Sequence, residues 1–218
     1  MLERSKIAMI LAEFLGTAIL TAVVLAVSRS NVGFSYFVAL AAGLTIAVGT
    51  LMFAAVSGAH FNPIVTIGLW TTRQVRSLTA IVYVAAQLLG GAVGYLLFSY
   101  LTNTHIKNAG AYSARILIAE AVGAFIFSLG WAAVVYRKME NGKAAFAVGA
   151  ALALGIIVAS TGSTGILNPA VALGVRSWVW GTYVLGPILG AVIGFNLYAL
   201  LFASERSLLV KKTSSSKK

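Results

Sequence analysis

The sequence of 218 residues contains no cysteine, no aspartate and only five glutamates. The absence of cysteine excludes disulfide bonds, thiolate metal sites and thiol catalysis. Charged residues make up 10% of the chain and hydrophobic residues 60%, whereas a soluble domain carries about 25% charged residues. So few charges cannot cover a soluble globule, which excludes a cytosolic enzyme, a disordered chain and a secreted disulfide scaffold. An integral membrane protein is therefore predicted.

Six apolar segments are long enough to cross a bilayer, since a spanning helix needs about 20 apolar residues. They cover roughly residues 7–27, 36–56, 79–101, 115–136, 144–161 and 179–203. They are apolar on nearly every side, which indicates helices rather than barrel strands, in which polar and apolar residues alternate. The first segment is too long, and too similar to the others, to be a cleaved signal peptide.

The net charge of +11 is distributed unevenly between the ends of these spans. If the N-terminus is cytoplasmic, twelve of the 16 Lys and Arg residues lie inside and four outside. Such a bias predicts that the N-terminus and the C-terminus are both cytoplasmic. It also explains the positive net charge of the chain without a nucleic-acid partner. Residues 204–218 are predicted to be a basic, disordered tail near anionic lipids, with a specific lipid or partner site as the alternative. Since no organelle signal is visible, the plasma (cell) membrane is the expected location.

Two connections between spans are too apolar for water-exposed loops and too short to cross the membrane. Two of the three prolines of the chain lie in them, in the pairs Asn62-Pro63 and Asn168-Pro169. Asn is a favoured helix N-cap and Pro suits the first helical turn. Each connection is therefore predicted to be a re-entrant half-helix that begins at its Asn-Pro pair.

The two Asn-Pro pairs are separated by nearly half the chain, and the Ala-Glu pairs that end at Glu13 and Glu120 have almost the same separation. This predicts two repeats, about 7–101 and about 115–203, within one channel domain of residues 1–203. Because each repeat has three spans, the second is inverted relative to the first. The predicted fold is all-α, with six transmembrane helices and two re-entrant half-helices that meet near the bilayer midplane. Irregular backbone at that depth needs protein or a water-filled cavity beside it, so a pore is expected.

The chemistry of the meeting point follows from its two asparagines. The amides of Asn62 and Asn168 can donate to the oxygen of a passing water, and each half-helix presents the positive end of its dipole. Water would turn its oxygen towards the centre, while protons and ions are excluded. The alternative is that both asparagines only cap helices without facing a pore.

Glu13 and Glu120 lie well inside spans, where an unpaired carboxylate costs about 3 kcal/mol. Each is expected to accept hydrogen bonds around a re-entrant loop, with a proton relay as the alternative. His60 lies two residues before Asn62. It is expected to be an oriented loop residue, with a pH gate as the alternative.

The segments AEFLGT at 12–17, SGAHFNPIVT at 57–66 and LNPA at 167–170 resemble the motifs of the aquaporin (major intrinsic protein) family. The likeness extends from Glu13 to about Gly194. In the first motif Ile64 stands where the family usually has Ala, whereas the second motif has the usual Ala170. The resemblance implies a passive channel for water and small neutral solutes, assembled as a homotetramer with one pore per protomer.

The family has a second constriction, which motif alignment assigns to Ala42, Ile156, Gly165 and Val171. Typical water-selective members have Phe, His, a small residue and Arg there, so this mouth is expected to be wider and more apolar. Ammonia, urea, hydrogen peroxide and glycerol are candidate solutes besides water. The glycerol branch fits poorly, because it follows the Arg with Asp, and Ala172 stands here. The pattern is more similar to plant vacuolar-membrane members, which the family associates with water plus ammonia, urea or hydrogen peroxide.

Three other functions compete with a channel. A non-conducting structural or junctional membrane protein of the same fold is the main alternative, and an apolar filter could also close by dewetting. A coupled transporter would need more ionisable groups inside the membrane. An enzyme is not expected, because no nucleophile–base set, metal cluster or phosphate-binding loop is visible. Neither a cofactor nor a metal is predicted.

Overall fold

A computed structural model describes residues 4–30, 35–108 and 111–203. The predicted tail at 204–218 lies outside the described residues. The elements are α1 (Arg4–Ser28), α2 (Ser35–Ser57), α3 (Pro63–Thr71), α4 (Ser77–Thr102), α5 (Ala114–Arg137), α6 (Asn141–Ala159), α7 (Pro169–Gly174), a π-helical segment (Trp180–Val184) and α8 (Leu185–Leu201). Within these ranges the chain forms helices and no strands, which confirms the predicted all-α class.

Six of these helices are long and apolar enough to cross a membrane, as predicted: α1, α2, α4, α5, α6 and α8 with its π-helical segment. Their outward faces carry large apolar side chains such as Leu44 (66% exposed) and Leu200 (79% exposed). Their inward faces carry buried polar groups, including Gln87 and Ser128. This reversal of the soluble pattern suits a bundle whose solvent is lipid.

The two short helices α3 and α7 are the predicted half-helices. Oδ1 of Asn62 accepts a hydrogen bond from the backbone N–H of Ile64 at 3.0 Å. Oδ1 of Asn168 accepts from the N–H groups of Ala170 and Val171, at 3.0 and 3.3 Å. Both helices therefore begin with an Asn cap followed by Pro at the first helical position, as predicted from the sequence.

The two repeats pack their helices in the same way. α1 lies against α4, and α5 lies against α8, while α2 and α6 contact each other across the repeats. A Cβ atom at Gly90 would lie 2.3 Å from the carbonyl oxygen of Phe14, and one at Gly190 would lie 2.0 Å from that of Ala121. Small residues are thus required where these membrane helices touch. Phe14 and Ala121 each follow the buried glutamate of their repeat by one residue, so the contact repeats with the sequence.

Candidate functional site

The two Asn caps meet at the centre of the bundle. Nδ2 of Asn62 donates to the carbonyl oxygen of Leu167 at 3.0 Å. Nδ2 of Asn168 donates to the carbonyl oxygen of Phe61 at 3.0 Å. Each amide nitrogen carries two protons, so each keeps one N–H beyond this bond. The repeats thereby exchange one hydrogen bond each at the point where the two half-helices begin.

The loops before the half-helices have the same unusual backbone. Ala59 and Gly165 have φ angles of 55° and 65°, and Phe61 and Leu167 have φ angles of 48° and 50°. The two members of each pair stand at the same distance before the Asn-Pro of their own repeat. The left-handed conformation costs a non-glycine residue about 1 kcal/mol, so it persists only where surrounding contacts hold it. These contacts come from the two buried glutamates and from Ser57 and Ser163, whose hydroxyls accept from the N–H groups of Ala59 and Gly165.

Glu13 holds the first loop. Its Oε1 accepts hydrogen bonds from Oγ of Ser57 at 2.6 Å and from the N–H of His60 at 3.0 Å. Its Oε2 accepts from the N–H of Phe61 at 2.8 Å. The side chain is fully buried, so these donors replace the water that a carboxylate would otherwise require.

Glu120 holds the second loop through the equivalent donors. Its Oε1 accepts from Oγ of Ser163 at 2.5 Å and from the N–H of Ile166 at 3.0 Å. Its Oε2 accepts from the N–H of Leu167 at 2.7 Å. Both carboxylates are therefore surrounded by loop donors, the arrangement expected of structural supports.

Gln87 distinguishes the two repeats. Its Nε2 donates to Oε2 of Glu13 at 2.7 Å and to Oγ1 of Thr66 at 2.9 Å. In the second repeat the corresponding position is Pro187, so Glu120 has no such amide. Gln87 is not among the site residues predicted from the sequence. Its signal was available, because it is the only amide side chain in α4.

His60 is fixed within an aromatic pocket. Its Nδ1 lies 3.0 Å from Oγ1 of Thr66, and its ring contacts the edges of Tyr83 and Trp131 at centroid distances of 5.3 and 5.7 Å. Tyr83 in turn donates its hydroxyl to the carbonyl oxygen of Ser57 at 2.9 Å. These contacts hold the ring in one orientation, and the role of His60 as a loop support stays a prediction. Tyr83 and Trp131 are not among the predicted site residues, because they lie on helices that are remote from His60 in sequence.

The four predicted filter residues come from α2, α6, the second loop and α7. Ala42, Ile156 and Val171 are at most 3% exposed and belong to one buried apolar cluster. Gly165 adjoins Ile156: a Cβ atom there would lie 3.1 Å from Cγ2 of Ile156. None of the four carries a charge or a side-chain hydrogen-bonding group. Their role as a filter stays a prediction.

A cavity of about 450 Å³ lies at the end of the bundle that α1 reaches with its C-terminus. We call it the serine vestibule. Its polar lining consists of Ser28, Arg29, Ser160, Ser163, Thr164 and Ser177. Ser163 connects it to the filter position, because its Oγ accepts from the N–H of Gly165 at 2.7 Å.

The hydrogen-bond donors and carboxylates described above hold the two re-entrant loops in place. In the part of the chain that the structure describes, no group of three His, Asp or Glu side chains is placed to hold a metal ion.

Comparison with known proteins places these features in context. A family model described as major intrinsic protein matches residues 2–198. Aquaporin Z of Photorhabdus laumondii is 31% identical over 89% of this chain and 97% of its own length. A glycerol uptake facilitator protein-like 6 of Lactiplantibacillus plantarum is 32% identical over 84% of this chain and 93% of its own. In fold, the chain is similar to the X-ray structure of the aquaglyceroporin from Plasmodium falciparum, with a TM-score of 0.76 at 23% identity, covering 93% of this chain and 99% of that one.

Proposed function

Because the chain belongs to the major intrinsic protein family and is a passive channel for water and small neutral solutes, we propose that its pore runs alongside the side-chain amides of Asn62 and Asn168. The reciprocal bonds to Leu167 and Phe61 are the observation that supports this assignment. They fix both amides where the half-helices begin and leave one N–H of each for a permeating molecule. Pro63, Ile64, Pro169 and Ala170 form the first turns that these caps begin.

The same geometry supports exclusion of protons and cations. The N-terminus of a helix carries a partial positive charge of about half an elementary charge, and α3 and α7 direct theirs towards each other. A water oxygen at the centre accepts from the asparagines and turns its protons outwards, which interrupts a chain of hydrogen-bonded waters. Glu13 and Glu120 contribute by holding the loops, and His60 by packing beside the first one.

The solute range is assigned to Ala42, Ile156, Gly165 and Val171. Two of these side chains are small or absent, and the other two are aliphatic, so the constriction offers space but no hydrogen bonds. Water, ammonia, urea and hydrogen peroxide are the expected solutes, because they can pass a short apolar constriction at modest cost. Glycerol remains a candidate that fits less well, because it has three hydroxyl groups to desolvate.

We also propose how the chain is arranged in the membrane. With the N-terminus inside, twelve Lys and Arg residues lie on the cytoplasmic side and four on the outer side, which supports cytoplasmic termini. The plasma membrane is the proposed location. Residues 1–203 form the channel domain, and no chemical reaction, cofactor or metal is assigned to it. A homotetramer is proposed, and exposed apolar side chains on α1 and α2, such as Leu15 and Leu44, offer a face for either lipid or a neighbouring protomer.

Stopped-flow light scattering on proteoliposomes tests the proposal. The full chain should raise water permeability well above that of protein-free liposomes of the same composition, and it should also raise urea or hydrogen peroxide permeability. Permeability equal to protein-free liposomes for every solute would contradict conduction and restore the structural or junctional alternative, which the similarity to aquaporins and a glycerol facilitator does not favour.

A further inference from the structure

The predicted filter has no arginine, but an arginine lines the serine vestibule. Val171 occupies the filter position on α7, and its side chain is 2% exposed. Arg29, next to the end of α1, is exposed and lines the vestibule. A positive charge is thus present at this mouth of the bundle, on a different element.

Some polar side chains that line the vestibule are hydrogen bonded within the chain, whereas three others have no such bond to a described residue. Ser28 donates to the carbonyl oxygen of Leu25 at 3.2 Å, and Thr164 donates to the hydroxyl of Tyr183 at 3.1 Å. By contrast, the side chains of Arg29, Ser160 and Ser177 make no hydrogen bond to any residue that the structure describes. The guanidinium alone has five N–H donors, so the vestibule can bind an acceptor that enters it.

Two residues that line the vestibule contact Gly165, one of the four predicted filter residues. Oγ of Ser160 lies only 2.8 Å from the place that a Cβ atom at Gly165 would occupy. The N–H of Gly165 donates to Oγ of Ser163, which also lines the cavity. The vestibule is therefore joined to the predicted filter through Ser160 and Ser163.

The charge of Arg29 is not compensated in the cavity. Among the described residues, no acidic side chain lines the vestibule. Two other arginines near this end of the bundle are engaged elsewhere. Arg176 lies over the ring of Tyr95 at 5.4 Å, and Nη2 of Arg115 lies 3.4 Å from the carbonyl oxygen of Thr161. Neither of them lines the vestibule.

We propose that Arg29 is a specificity-determining residue that acts in the serine vestibule in place of a filter arginine. Its charge repels cations at the mouth, where the low-dielectric walls strengthen the field. Its fork of N–H groups, with the hydroxyls of Ser160 and Ser177, binds the carbonyl oxygen of a small neutral amide such as urea. These donors replace part of the hydration of the solute before it enters the apolar constriction. The proposal rests on the channel function above.

Arg29 also borders a second, mainly apolar groove of about 670 Å³ between α1 and α4. A guanidinium that turned into this groove would lie among lipid headgroups and leave the vestibule. Such an anchor has no effect on which solutes cross the pore. The two placements of the side chain therefore predict different transport results.

The test compares Arg29→Gln and Arg29→Lys with the wild-type chain in proteoliposomes. Arg176→Gln is the matched control, because it removes the same charge from the same end of the bundle without touching the vestibule. Stopped-flow light scattering reports water and urea permeability, and a potassium-sensitive dye inside the vesicles reports K⁺ leak. Orientation and amount of protein are matched between variants by protease protection and quantitative gel analysis.

Arg29→Gln should raise K⁺ leak and lower urea permeability, each by about threefold, because an exposed charge is partly screened by solvent and salt. Its water permeability should stay within about 1.5-fold of wild type, since water needs less dehydration than urea. Arg29→Lys should keep the low K⁺ leak but lose part of the urea permeability, because an ammonium lacks the planar fork. Arg176→Gln should match wild type in every measurement.

Two results would overturn the proposal. One is an Arg29→Gln variant that equals wild type in K⁺ leak and urea permeability. The other is an equal change in Arg29→Gln and Arg176→Gln, which would indicate a general effect of surface charge. Failure of the channel function itself is distinguishable, because the wild-type chain would then show no water permeability above protein-free liposomes.

Discussion

The side-chain amide of Asn62 is hydrogen bonded to the carbonyl oxygen of Leu167, 105 residues further along the chain. Asn168 returns an equivalent bond to Phe61. Each asparagine thus caps its own half-helix with Oδ1 and holds the opposite loop with Nδ2. A substitution at either one should therefore disturb both repeats, and the two functions of the amide can be separated by choosing the substitution.

Asn168→Asp keeps the cap and removes the donor. A carboxylate still accepts from the N–H groups of Ala170 and Val171, but it faces the carbonyl oxygen of Phe61, 3.0 Å from the present nitrogen, without a proton between them. We expect water permeability to fall about tenfold, because a lost hydrogen bond to a buried group costs about 1–3 kcal/mol. We also expect K⁺ leak to rise, because the pore centre gains a negative charge. Both are measured in proteoliposomes.

Asn196→Asp is the control for this variant. Asn196 is an exposed amide on α8 that donates to Oγ1 of Thr71 at 2.9 Å, far in sequence from both caps. It should retain wild-type permeability to water and the low leak of K⁺. If Asn168→Asp behaves like Asn196→Asp, the assignment of the pore to the Asn pair is wrong.

Glu120→Gln should lower the thermal stability of the protein. In either orientation of the new amide, one of the two loop N–H groups, from Ile166 or Leu167, faces an NH₂ group instead of an oxygen. An unsatisfied buried donor costs about 2 kcal/mol, so the Tm in detergent should fall by several degrees. Glu140→Gln is the control, because Glu140 is 82% exposed in its side chain. Equal Tm values for the two variants would contradict a supporting role for Glu120.

Gly190→Ala should prevent close packing of α8 on α5. The added Cβ would lie 2.0 Å from the carbonyl oxygen of Ala121, and because this is backbone, the helices must move apart. Overpacking of this kind costs about 1–3 kcal/mol or more. Gly142→Ala adds the same methyl group where nothing lies within 4 Å. Thermal unfolding followed by size-exclusion recovery should show a loss of folded protein in the first variant alone.

The half-helices and caps could be predicted because their signals are local. An Asn-Pro pair indicates both the N-cap and the first turn of a helix, and its recurrence in the second half of the chain indicates the repeat. The left-handed backbone at Ala59 and Phe61 could not be predicted, because propensity would ask for glycine at both. The hydrogen bonds from the loop to Glu13, which lies on a different helix and far away in sequence, override that preference. Of the four left-handed residues, only Gly165 in the second loop is of a residue type that favours this backbone conformation.

The aromatic pocket around His60 could not be predicted from the sequence for a different reason. His60, Tyr83 and Trp131 lie on three separate elements, and each apolar span contains several aromatic or aliphatic residues that could face inward. Periodicity is weak in helices that are apolar on all sides, so it does not say which of them turns to the loop. The contact exists because α4 and α5 pack around the first re-entrant loop.

Trp131→Phe tests how the pocket is stabilised. Nε1 of Trp131 is buried and has no hydrogen-bond partner among the described residues. Removing an unpartnered donor relieves its desolvation cost, while phenylalanine keeps an aromatic edge against His60. We expect the Tm of Trp131→Phe to lie within about 2 °C of wild type, whereas Trp131→Ala should lose about 3–5 kcal/mol through a cavity. A loss in Trp131→Phe as large as that in Trp131→Ala would contradict this, because the small volume removed by phenylalanine cannot account for it.

Val171→Arg tests the filter assignment directly. The side chain of Val171 begins in the first turn of α7, in the same apolar cluster as Ala42 and Ile156. A guanidinium there would fill space beside them, so urea and hydrogen peroxide permeability should fall at least about fivefold while water stays within about twofold, since pore diameter and lining donors set selectivity. Val171→Leu, which adds one methylene group without charge, should reduce urea permeability far less. Unchanged urea and peroxide fluxes in Val171→Arg proteoliposomes would place the solute-selecting constriction elsewhere in the pore.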